Sequence, residues 1–153
     1  MTGGDVKTTT NLKVGDWGGV GSFELQDGTL TCMSSAIVGN GNGSSGVMTV
    51  TGGRLLSVQN MTVANNALNG AWGTVYMGGG ELICSNTLTL ANGMTNWGNV
   101  VVTGGTTEAN YLTVGGSGEG SWMQSNGIVT ARQNLTIGSA ATSTGSVTLA
   151  GGG

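Results

Sequence analysis

The sequence predicts an all-β fold, a single parallel β-solenoid of about six turns, on three observations. A short apolar phrase returns every 23–27 residues, glycine stands at a fixed place in each return, and proline is absent throughout. The phrase is Leu12-Lys13-Val14-Gly15 at its first appearance. It comes back as Ala36-Ile37-Val38-Gly39, Met61-Thr62-Val63-Ala64, Leu88-Thr89-Leu90-Ala91, Leu112-Thr113-Val114-Gly115 and Leu135-Thr136-Ile137-Gly138. The intervals are 24, 25, 27, 24 and 23 residues.

Each return carries three short strands. The first is the phrase itself. A second follows a leading glycine, as in Gly46-Val47-Met48-Thr49-Val50, and ends near a glycine pair; the leading glycines are Gly21, Gly46, Gly73, Gly98, Gly120 and Gly145. A third runs through Val6, Leu30, Leu55, Leu82, Thr107 and Val129, with a small residue two places on: Thr8, Cys32, Ser57, Cys84, Ala109 and Ala131. Apolar residues alternate within each strand, the period of a half-buried β-strand. Glycine suits the corners, where positive φ or close backbone approach is required. A unit this short buries its apolar face only by stacking on its neighbours, so like residues form columns. Proline would remove a ladder donor from rungs paired on both sides.

The interior follows. The first strands contribute the columns from Leu12 to Leu135 and from Val14 to Ile137. The second strands contribute Phe23, Met48, Val75, Val100, Trp122 and Val147, then Leu25, Val50, Met77, Val102, Gln124 and Leu149. Gln124 breaks its column; a buried amide needs partners, so either the rung shifts locally or the side chain bonds a corner backbone group. Lys13, Ile37, Thr62, Thr89, Thr113 and Thr136 point outward. Between the first and second strands the spacer varies from four to eight residues, which confines insertions to one edge. The preference of parallel crossovers for right-handedness predicts a right-handed coil. The chain reads as one solenoid domain over 1–153, complete or a segment of a longer solenoid.

Composition excludes several functions. Glycine is 32 of 153 residues and charged residues only 7%, with a net charge of −3. Lys7, Lys13, Arg54 and Arg132 are too few and too scattered for a phosphate-binding surface, so no nucleic-acid partner is expected. No apolar run approaches the ~18 residues of a membrane span. The residues after Met1, Thr2-Gly3-Gly4-Asp5, lack the regions of a signal peptide, so any export signal is expected outside this stretch. Recurrent β-branched and apolar residues with low charge argue against disorder.

Chemistry is sparse. There is no histidine, which removes the usual base for a serine or cysteine nucleophile. The acids Asp5, Asp16, Glu24, Asp27, Glu81, Glu108 and Glu119 are scattered rather than paired across a cleft. Cys32 and Cys84 share a column with Ser57 between them, about 9–10 Å apart at 4.8 Å per rung, too far for a disulfide. No enzyme, metal or cofactor is expected.

Three features suggest contacts instead. Trp17, Trp72 and Trp97 lie on the variable edge, where indoles can meet glycans or a partner protein. Val47, Tyr76, Val101 and Met123 on the second strands, with Leu56 and Ile83 on the third, offer an outward apolar face for lateral packing. Met1 and Leu149 share a column, so Met1-Thr2 and Leu149-Ala150 are in phase for end-to-end stacking, which builds filaments when it does not close.

The phrases Leu112-Thr113-Val114-Gly115 and Val50-Thr51-Gly52-Gly53 resemble the Gly/Thr/Asn-rich β-helix repeats of large bacterial secreted and surface proteins, among them autotransporter passengers and adhesin-like or matrix proteins. The resemblance spans essentially the whole chain. It implies an extracellular or cell-surface location and a structural role as fibre subunit or rigid stalk, with itself or an adjoining solenoid as partner. The alternative it implies is an adhesin-type module that binds surface glycans through the Trp-bearing edge.

Overall fold

The computed structural model describes residues 1–66 and 70–151, which form strands, turns and short loops with no helix. Every strand pairing is parallel and joins one turn to the next, so the chain is a β-solenoid. The second strands, Val20–Leu25, Ser45–Val50, Trp72–Met77, Trp97–Val102, Glu119–Gln124 and Thr144–Leu149, make a six-stranded sheet in unbroken chain order. First and third strands share a nine-stranded sheet.

The registers reproduce the columns. Leu12 pairs Ala36, Ala36 pairs Met61, and the series continues through Leu88 and Leu112 to Leu135. Phe23, Met48, Val75, Val100, Trp122 and Val147 are in register across the second sheet. In the middle turns these columns are sealed: Met48, Val50, Leu55, Met61, Val63, Val75 and Met77 are fully buried. Burying one such side chain contributes about 1.5–3 kcal/mol, and the stack repeats the gain at every rung.

Two details differ from three uniform strands per turn. In the last three turns the third and first strands run on as single strands, Glu81–Asn92, Thr106–Val114 and Ile128–Ile137. Their pairings slip between Cys84 and Thr87 and between Ala109 and Tyr111, because the corner at Tyr111 is one residue shorter than those beside it. Corner amides hold this bend: Asn86 Nδ2 donates to Asn60 Oδ1 at 2.9 Å and Asn110 Nδ2 to the Ser85 carbonyl at 2.7 Å. Ile37 stands in the outward column between Lys13 and Thr62, yet is only 8% exposed.

Glycine serves two separate needs at the corner between first and second strands. The leading column needs room. A Cβ on Gly98 would lie 2.5 Å from both the Ala91 nitrogen and the Val63 carbonyl oxygen, because the end of the first strand crosses directly against it. The residue closing the first strand instead needs positive φ: 75° at Gly39 and 78° at Gly115, with Ala64 and Ala91 holding the same conformation at 65° and 60°.

Gln124 keeps register with Val102 and Leu149, and its Nε2 donates to the Gly127 carbonyl at 2.9 Å. The amide thus bonds a corner carbonyl and the rung does not shift. Cys32 and Cys84 are free thiols, buried, with Ser57 in register between them. Burial raises both thiol pKa values above the ordinary range, since loss of solvent disfavours the thiolate.

Thr107 is a flaw in the core. It sits between Leu82 and Val129 in an apolar column, 1% exposed, and its hydroxyl has no hydrogen-bond partner among the described residues. A buried unpaired hydroxyl costs about 1–3 kcal/mol. Thr107→Val keeps the shape and removes the hydroxyl, so it is expected to stabilise the fold by about 1 kcal/mol. Urea denaturation should show a raised midpoint at unchanged slope; a lowered midpoint would contradict the placement.

Candidate functional site: the loop edge

The variable edge begins where each first strand ends. Two residues past the Val14 column the chain presents Asp16, Asn40, Asn65 and Asn92, in register from turn to turn. The left-handed residue just before each one turns these side chains into a single file. They bond along it: Asn40 Nδ2 donates to Asp16 Oδ1 at 2.5 Å, Asn65 Nδ2 to Asn40 Oδ1 at 2.9 Å, and Asn92 Nδ2 to Asn65 Oδ1 at 3.0 Å. Asp16 ends the file. The hydrogen bond from Asn40 chiefly, helped by Lys13 at 3.1 Å, holds its carboxyl below the usual carboxylate value. A second amide pair lies beside the file, Asn66 Nδ2 donating to Asn42 Oδ1 at 2.7 Å.

This asparagine file floors an open groove of about 520 Å³, bordered also by Trp17, Gly41, Asn66, Gly93, Met94 and Ser117. Trp17 is 74% exposed and Met94 68%. Among the described residues no titratable side chain lines the groove itself, Asp16 closing the file beside it in a pair with Lys13, and no group of three His, Cys, Asp or Glu could hold a metal ion. The groove lining is carboxamide, hydroxyl, thioether and indole.

The other two indoles lie elsewhere on the edge. Trp72 and Trp97 each precede a leading glycine, pair in register, and stack with ring centroids 5.2 Å apart and planes within 5°. Trp97 Nε1 then donates to Glu119 Oε2 at 3.0 Å, one rung further on. Each of these rings spends a face on the other, and the Trp97 donor is occupied. Trp17 borders the asparagine groove instead. The three indoles named from sequence therefore form a stacked pair and a separate exposed ring.

The remaining contact residues also divide. Tyr76, Val101 and Met123 form one outward column, with Tyr76 45% and Met123 43% exposed. Val47 belongs to the neighbouring column, opposite Thr74. Leu56 and Ile83 pair on the other sheet. Met1 lies opposite Leu25, its carbonyl accepting from Gln26 N at 2.8 Å.

No protein-family model, curated protein or solved structure matches this chain. Among the described residues, no helix is long and apolar enough to cross a membrane.

Proposed function

We propose that the chain is a structural β-solenoid, an extracellular or cell-surface rod that lengthens when the last rung of one copy receives the first rung of the next. The supporting observation is the state of the interior columns at the two ends. Buried through the middle turns, they are open at the last, where Leu135 is 53%, Ile137 49% and Leu149 70% exposed, and open in part at the first, where Val6 is 47% exposed but Val14 only 5%. Open apolar rungs with unpaired backbone are adhesive edges.

The ends also match. Met1 stands opposite Leu25, and the Leu25 column runs through Val50, Met77, Val102 and Gln124 to Leu149. A second copy can lay residues 6–8 and Leu12–Asp16 along Ile128–Ile137, and Val20–Leu25 along Thr144–Leu149, once its Met1, which fills the place opposite its own Leu25, gives way to Leu149. The same surfaces serve where a solenoid runs on within one polypeptide. Low charge over a Thr/Asn-rich surface, and the resemblance to repeats of secreted surface proteins, support the location.

Electron microscopy with sedimentation over a concentration series tests this. Filaments are expected, with an axial repeat of about 29 Å for six rungs of 4.8 Å. Leu135→Lys with Leu149→Lys should leave folded single particles, because both sites are already half or more exposed. Monodisperse monomers of the unaltered chain at high concentration would refute self-assembly.

A further inference from the structure

The groove over the asparagine file carries a second inference, independent of how the rods assemble. Trp17 is its starting point. A bulky residue at positive φ is a backbone outlier, and Trp17 has φ 47°. Strain of this kind is kept where it serves a function or is compensated by packing. Packing does not compensate here, since the ring is 74% exposed. Glycine would hold the same turn without strain and without exposing an indole, as Gly18 does next along the chain at φ 78°. The indole is therefore unexplained by stability.

The surroundings fit one class of ligand. Asn40, Asn65 and Asn92 present carboxamides at successive rungs, about 4.8 Å apart. Each amide nitrogen has two hydrogens, of which the file uses one. The groove floor thus offers a donor at every rung, with Trp17 at one end as a flat apolar platform and Ser117 at the other. Among the described residues its lining carries no charge, and at the Trp17 end Lys13 and Asp16 neutralise one another at 3.1 Å, so phosphate, sulfate and acidic ligands find no free counter-ion. Repeating neutral hydroxyls with one apolar ring face are the chemistry of a sugar chain.

We propose that Trp17, Asn40, Asn65 and Asn92 form a binding groove for a linear, neutral, β-1,4-linked oligosaccharide lying along the solenoid axis. An extended β-1,4 chain advances by close to one rung per ring, so successive sugars meet successive asparagines. An α-1,4 chain coils and loses that match. The Trp72–Trp97 stack lies outside the groove.

The test is calorimetric titration of the full chain with cellohexaose, chitohexaose and maltohexaose. One of the two β-linked hexasaccharides should bind, and maltohexaose at least tenfold more weakly. Trp17→Gly separates binding from folding: it should weaken the sugar at least tenfold while the melting temperature holds or rises, since the strained φ is relieved. Trp72→Ala should leave affinity within about twofold. Absence of binding by both β-linked probes at millimolar concentration overturns the proposal, as does equal binding of maltohexaose. Unchanged affinity in Trp17→Gly overturns it too. None of these outcomes bears on whether filaments form.

Discussion

Gly98→Ala is expected to destabilise the solenoid by about 3 kcal/mol, the upper end of what one added methyl does in a packed interior. The new Cβ would sit 2.5 Å from the Ala91 nitrogen and from the Val63 carbonyl oxygen. Both are backbone atoms in stacked rungs, so neither can swing aside as a flexible side chain would. Relief requires the Trp97–Val102 strand to lift away from Trp72–Met77 and Glu119–Gln124, which it pairs on both sides. Gly78→Ala is the control: its nearest neighbour would be Thr51 Cγ2 at 3.7 Å, an ordinary contact. Urea denaturation of the two variants should show a large loss for the first and little change for the second. Equal midpoints would mean that the corner is looser than its geometry.

That contrast shows what was legible in the sequence. The six leading glycines align because close approach at one corner tolerates nothing larger, and the demand repeats at every turn. The Leu12 and Val14 columns align for a related reason: a period-2 strand in a stack puts chemically similar residues one rung apart. Even the exception was readable, since Gln124 breaks an apolar column and finds its partner at the Gly127 carbonyl.

The edge was harder to read. Its spacer varies from four to eight residues, so a residue counted forward from the first strand loses register with its neighbours by the second. Counting back from the leading glycine would have paired Trp72 with Trp97, each one residue before it, and set Trp17 apart, four residues before Gly21. The asparagine file had a signal as well: two residues past the Val14 column the sequence reads Asp16, Asn40, Asn65, Asn92. That position lies just beyond the recurring phrase, and its meaning depends on the left-handed residue before it, which glycine and alanine fill alike. Val47 was grouped with Tyr76 by apolarity, whereas strand position puts them in adjacent columns.

The largest local effect at this edge is expected from Asn96→Ala, on the order of 3–5 kcal/mol, from three hydrogen bonds, two of them buried, lost together. Asn96 is 1% exposed. Its Nδ2 donates to the Ala64 carbonyl at 3.1 Å and to the Asn66 carbonyl at 3.0 Å, and its Oδ1 accepts from the Ala71 nitrogen at 3.0 Å. One side chain thus holds both ends of the longest spacer, that between Asn65 and Gly73, from the rung above it. Alanine removes all three bonds at once and strips the Ala71 N–H and the Ala64 carbonyl of the side chain that held them, and buried groups that lose a partner cost more than the bonds are worth net. Position matters as much as number. Ala64 is the left-handed residue that turns Asn65 into the file, and Ala71 precedes Trp72, so the same amide braces the groove floor and the indole stack. Two local signals should therefore accompany the drop in urea midpoint: faster hydrogen exchange at the Ala71 amide, and loss of the ring-current shifts that the stacked Trp72 and Trp97 rings impose on one another's protons in NMR. A lower midpoint with both signals intact would place the damage elsewhere in the rung. Because Asn96 reaches across a rung boundary rather than along a strand, its removal tests whether the variable edge is fastened by side chains, as the geometry has it, or simply carried by the ladders on either side.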